Sequence, residues 1–191
     1  MVWGAAAKIS AESWIRAFVW RQLLLDYSAN TADFKRGCFM DKVTKSQLVD
    51  YVGYQAVPSP WHTVEQEQIN HFADATLDHQ FIHVDPERAA ATPFGKTIAH
   101  GFLTLSMLSH FSESFALPVE GTQMGINYGL DFVRFLAPVT VGSRIRAHSK
   151  IIDIVEKKPG QWMFKTEVSI EIEGSDTPAL VAVWLTMLMV K

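Results

Sequence analysis

Apolar residues recur with several different periods along the chain, and each change of period marks an element. Between residues 11 and 27, Trp14, Ile15, Phe18, Val19, Gln22 and Leu25 fall at helical spacing, which predicts an amphipathic helix. Ser28-Ala29-Asn30-Thr31 closes it in a turn, and Met40-Asp41-Lys42 opens the main domain. A short helix is expected over Ser46–Gly53, before Pro58-Ser59-Pro60 breaks the chain. Thr63 and Gln66 stand at capping-box spacing, which predicts a helix to about Ala75 with Ile69, Phe72 and Ala73 on one side. From Leu77 to Thr97 no period holds; Asp, His, Pro and Gly crowd the stretch, with one helical turn expected over Pro86–Ala91. The segment Phe102–Phe111 is apolar almost all round, which predicts a helix buried on nearly every side.

The last third has a period of two. Met124–Phe135 reads as a strand, with Gly125 and Gly129 as bends. Ile145, Ala147, Ser149 and Ile151 alternate with Arg144, Arg146, His148 and Lys150. Beyond the turn at Pro159-Gly160, Phe164, Val168, Ile170 and Ile172 alternate with Lys165, Glu167, Ser169, Glu171 and Glu173. Leu180–Val190 is apolar on both faces, so a central or interface-covered strand is expected. Helices followed by a run of long strands predict an α+β domain in which an antiparallel sheet wraps around one buried central helix. The expected organisation is a helical N-terminal extension over residues 1–39 and one domain over 40–191.

Composition narrows this picture. With 191 residues, 48% of them hydrophobic and 19% charged, the chain can bury one substantial core. A net charge of −3 supplies no field for nucleic acid, so any anionic ligand must be met by local Lys or Arg. Cys38 stands alone and can form no intramolecular disulfide, which fits a reducing compartment. The apolar runs Ala17–Trp20 and Leu23–Leu25 stop at Arg21 and Asp26, far short of the roughly 20 residues of a membrane span. No membrane span and a cytoplasmic location are therefore expected.

The candidate chemistry lies between Phe72 and Ala91. Zinc would need a ligand pattern, yet there is no HExxH and no Cys partner, so no metal is expected. General acid–base catalysis asks for less: one carboxylate and one imidazole that converge on a single water. Asp78 and His83 supply that pair, against the alternative of a loop salt bridge and a packed histidine. Asp85 is expected to cap the turn at Pro86, and His100 to be a packed loop residue.

Asp78 with His83 five residues later resembles the motif of the MaoC-like (R)-specific enoyl-CoA hydratases, within them the branch related to nodulation protein N. The resemblance continues through Pro93–Leu103, Asn127–Leu130, Val133–Val139, Val141–Arg144 and Ala182–Leu185, and so covers about Lys42 to Lys191. Two departures stand out: Leu77 precedes the carboxylate where the family often has Gly, and Gln80-Phe81 replaces Asn-Pro. The resemblance implies a hot-dog fold, a homodimer with pooled sheets, and a hydro-lyase of fatty acid metabolism that acts on an acyl-CoA or acyl-carrier-protein thioester. It implies that Asp78 and His83 activate water, that the Gly101 N–H forms an oxyanion hole, and that Ser106 orients the pair or the carbonyl. Asn127 contacts ligand or partner, or makes a strand-edge hydrogen bond. Arg134, Arg144 and Arg146 are candidates for CoA phosphates, although an alternating charged strand is more simply a solvated face, as Glu167, Glu171 and Glu173 also suggest. No metal or redox cofactor is required, because the thioester is its own electron sink. A hot-dog thioesterase and a non-catalytic acyl-thioester binding protein are the alternatives.

Overall fold

A computed structural model of the chain describes residues 42–191; the expected N-terminal helix, Cys38 and the domain start at Met40 lie outside the described residues. A 3-10 helix, Lys45–Tyr51, is followed by β1 (His62–Thr63), α1 (Gln66–Thr76), α2 (Phe81–Val84), α3 (Pro86–Ala90) and α4 (Gly101–Phe115). The chain then runs through β2 (Thr122–Phe135), β3 (Arg144–Lys158), β4 (Gln161–Ile172) and β5 (Leu180–Val190). The five strands form one antiparallel sheet in the order β1-β3-β4-β5-β2.

Alternation decides which face of this sheet meets α4. Ile145 and Ala147 of β3, Val168 and Ile170 of β4, and Leu180 and Ala182 of β5 are buried together with Leu103, Met107, Leu108 and Phe111 of α4. Each such side chain contributes about 1.5–3 kcal/mol by leaving water. The intervening polar residues are tied across strands rather than simply solvated. Arg144 meets Glu173 at 2.6 Å, and Glu171 accepts from both Arg146 and His148 at 2.6 Å. Arg146 also lies over the Trp61 ring, 4.4 Å from its centre. Arg144 and Arg146 are thus already neutralised by carboxylates, and Glu171 is half-buried in that network rather than free in solvent.

Two expectations need correction. Thr63 does not cap a helix: it pairs with Arg144 in β1, and α1 starts at Gln66 behind Glu65, which makes no side-chain cap. The helix α4 is buried on one face only, because the sheet covers one side of it in a single chain; Phe102 is 68% exposed. The doubly apolar β5 lies between β4 and β2, the central place expected of it. The exposed edge is β2, which presents Met124, Ile126, Tyr128 and Leu130 to solvent.

The β3–β4 hairpin turns at Gly160, whose φ is +75° and whose missing Cβ would stand 2.5 Å from the Val190 carbonyl oxygen. A side chain there meets both left-handed strain and a backbone clash. Gly160→Ala is expected to lower unfolding free energy by about 2 kcal/mol or more, read as a drop in denaturation midpoint with the activity of the folded fraction retained.

Candidate active site

The site begins where α1 stops. Leu77 closes that helix in the left-handed conformation (φ 61°), which reverses the chain and delivers Asp78 and then α2. Leu77 stands where the resembling family often has Gly, and it holds this left-handed conformation with a β-carbon present. Asp85 accepts from the Arg88 N–H at 3.0 Å and caps α3 as expected.

The short helix α2 carries His83 into the interior, where it is held on both sides. The His83 Nδ1–H donates to the Ile98 carbonyl at 2.6 Å, while Ile98 N–H donates to the Ile82 carbonyl at 3.0 Å. The Gln66 Nε2 donates to the His83 carbonyl at 2.8 Å, and Gln66 Oε1 accepts from the buried Thr97 hydroxyl at 2.5 Å. With Nδ1 committed as donor, the Nε2 of a neutral His83 is left as a lone-pair acceptor. Burial pushes the His83 pKa below its ordinary 6.5 and the nearby His100 lowers it further; the Ile98 carbonyl and the Asp78 carboxylate act in the opposite direction.

His100 completes the group. It is 4% exposed, stacks on His83 with ring centres 3.7 Å apart, and donates from Nε2 to the Asp78 backbone carbonyl at 2.9 Å. A carboxylate oxygen of Asp78 and one ring nitrogen each of His83 and His100 all lie within 4.8 Å of one another. No hydrogen bond joins Asp78 directly to His83, and a separation in this range is what one bridging water spans with two bonds. By residue type the same three could also hold a metal ion.

Immediately after His100, Gly101 opens α4, whose first N–H groups have no acceptor within the helix. A Cβ at Gly101 would stand 3.2 Å from the Phe135 ring, so a side chain there requires that ring to give by a few tenths of an ångström. His83, Gly101, Thr104, Phe135 and Pro138 line a cavity of about 280 Å³. The structure thus brings Asp78, His83 and Gly101 to one place. Ser106 and Asn127 are elsewhere. The exposed Ser106 hydroxyl donates back to the Phe102 carbonyl at 2.7 Å, one turn earlier in α4. Asn127 donates to Ser109 Oγ at 3.3 Å and lines a larger cavity of about 370 Å³ with Ser109, Phe115, Ile126 and Trp184.

A family model described as the MaoC like domain matches residues 49–173. The chain belongs to the MaoC-like dehydratase family. That MaoC-like stretch contains Asp78, His83, His100 and Gly101. Over 137 residues the chain is 49% identical to the 3-hydroxyacyl-thioester dehydratase Z of Mycobacterium tuberculosis, a match spanning 72% of this chain and 90% of that protein. It is 45% identical over 150 residues to nodulation protein N of Rhizobium leguminosarum bv. viciae, covering 78% and 93%. Among solved structures, an (R)-hydratase from A. caviae involved in PHA biosynthesis superposes with a TM-score of 0.58 at 26% identity, over 71% of this chain and 94% of that one. The MaoC-like chain is a hot-dog protein and an enzyme of the hydratase/dehydratase class.

Two residues of this MaoC-like site, Gln66 and His100, were not expected from the sequence to act here. Gln66 reads as part of a capping box, and only the fold reveals the 17-residue reach to the His83 carbonyl. His100 had one signal, its position directly before Gly101. Gln66→Leu leaves the Thr97 hydroxyl and the His83 carbonyl without their partner, and is expected to cost about 2–3 kcal/mol of stability, measured by urea denaturation.

Proposed function

We propose that the chain adds water reversibly to a trans-2-enoyl thioester, giving the (R)-3-hydroxyacyl thioester, with CoA or acyl-carrier protein as the carrier. The observation that supports this most is the convergence of an exposed carboxylate, a buried imidazole with a free Nε2, and a glycine at a helix start. In the hydration direction His83 Nε2 takes a proton from a water that Asp78 also holds. The resulting hydroxide bonds to Cβ, the double-bond electrons move onto the thioester oxygen, and the Gly101 N–H with the α4 dipole stabilises that oxyanion. The protonated His83 then returns its proton to Cα as the enolate collapses. Dehydration runs the same steps backwards, and no step calls for a metal or redox cofactor. The cavity beside Gly101 would receive the reacting end of the acyl group, and fatty acid metabolism is the setting that the related dehydratases suggest.

A second copy of the chain is the proposed partner. β2 is a fourteen-residue edge with unpaired backbone groups on one side and five large apolar side chains exposed, and a two-fold pairing of like edges would cover both. Among the described residues no helix is long and apolar enough to cross a membrane, and we place the enzyme in the cytoplasm. Ile126→Lys puts a charge into that edge and should convert a species sedimenting at twice the chain mass into one at the chain mass.

Asp78→Asn is expected to slow loss of the crotonyl-CoA absorbance by about 10²-fold or more; full turnover would contradict the assignment, and thiol release without loss of the chromophore would point to a thioesterase. The reaction needs His83 unprotonated at Nε2, and burial depresses its pKa, so kcat/KM should fall with acid only below pH 6.5. The sign for stability is the same: below 6.5 the unfolded chain takes up a proton that the folded His83 still refuses, so acid erodes stability until the folded-state pKa is passed.

A further inference from the structure

The proposed reaction assigns work to Asp78, His83 and Gly101, and leaves unexplained a fourth group that touches the surroundings of all three. His100 is the N-cap residue of α4, yet its side chain makes no cap bond. Its Nε2–H instead holds the backbone carbonyl of Asp78 at 2.9 Å, and its ring lies flat on His83 at 3.7 Å with 25° between planes. Its Nδ1 is buried and has no hydrogen-bond partner among the described residues. A hydrogen on that nitrogen would be a buried donor without an acceptor, so the proton belongs on Nε2, facing Asp78.

We infer that His100 is a positioning residue, which sets the separation between the Asp78 carboxylate and the His83 imidazole and joins that pair to the oxyanion end of α4. Asp78 needs such an anchor. Its side chain is 55% exposed, and among the described residues the only side-chain hydrogen bond it makes is a long one, 3.4 Å, from the Gln80 N–H. It also follows the left-handed Leu77, which is 82% exposed and brings no packing of its own. The bond from His100 therefore carries the placement of the carboxylate. Because His100 and Gly101 are consecutive, the same residue fixes how far the oxyanion donor lies from the water.

This inference rests on the proposed hydratase chemistry, and two variants separate its parts. His100→Phe keeps a ring on His83 and removes the donor; kcat with crotonyl-CoA is expected to fall about 30-fold, with KM changed less than about threefold. His100→Gln restores an amide donor toward Asp78 and should recover kcat to within about fivefold of the parent. A Phe variant within about twofold of the parent kcat, or a Gln variant no better than Phe, would each overturn the role. Should the Phe variant not fold, the Gln variant carries the test, and a kcat more than about fivefold below the parent overturns the role. Asp78→Asn measured alongside separates the two readings: if it is inactive while His100→Phe is near parental, only the positioning role falls, whereas full turnover in Asp78→Asn removes the pair itself. Nitrogen-15 spectra of the parent imidazoles give a readout independent of turnover. A proton on His100 Nε2 is expected, and one on Nδ1 would contradict the geometry.

Discussion

The site depends on one hydrogen bond, from His83 Nδ1 to the carbonyl of Ile98, at 2.6 Å. It fixes the tautomer of the imidazole and so the direction of its lone pair. It also ties α2 to the strand-like segment that leads into α4. A histidine buried without it would have no defined proton position and no reason to face Asp78. The Gln66–Thr97 and Ile82–Ile98 bonds surround this contact and hold its two backbone segments in register. The irregular stretch between α1 and α4 is therefore closed by polar bonds where the rest of the domain is closed by apolar packing.

The sheet and α4 provide the rigid side of that arrangement. The apolar face of β3, β4 and β5 packs on Leu103, Met107 and Phe111, so the start of α4 is placed by the core rather than by the loop before it. Gly101 then lets the helix start sit close to the Phe135 ring, which a Cβ would meet at 3.2 Å. An acid-bearing loop is in this way set against a helix end fixed by the core. Such a division suits a reaction in which one group moves protons and another must wait, preorganised, for charge to develop.

Much of this was legible in the residues. Strict alternation in β3 and β4 determines their inward faces, and the apolar length of β5 gives its central place. Asp78, His83 and Gly101 were identified by type, spacing and family resemblance, and they converge. What was not legible depends on contacts between distant segments. The capping-box spacing of Thr63 and Gln66 is a local signal, and it lost to the pairing of Thr63 with Arg144 and to the long-range bonds of Gln66. The partial exposure of α4 follows from having a sheet on one side, which its own apolar sequence could not reveal. His100 looks like a packed loop residue because only the turn at Leu77 brings the Asp78 carbonyl within its reach. Ser106 and Asn127, taken from resemblance alone, sit on other partners in the single chain.

The central claim is that one water, shared by Asp78 and His83, attacks an enoyl thioester whose carbonyl rests on Gly101. A crystal structure of the Asp78→Asn protein with crotonyl-CoA tests it most directly. The account predicts a water within about 3.2 Å of His83 Nε2 and of the residue 78 side chain, and the thioester oxygen about 3 Å from the Gly101 nitrogen. A thioester bound with its carbonyl away from Gly101, or with its Cβ out of reach of any water held by His83, would contradict it.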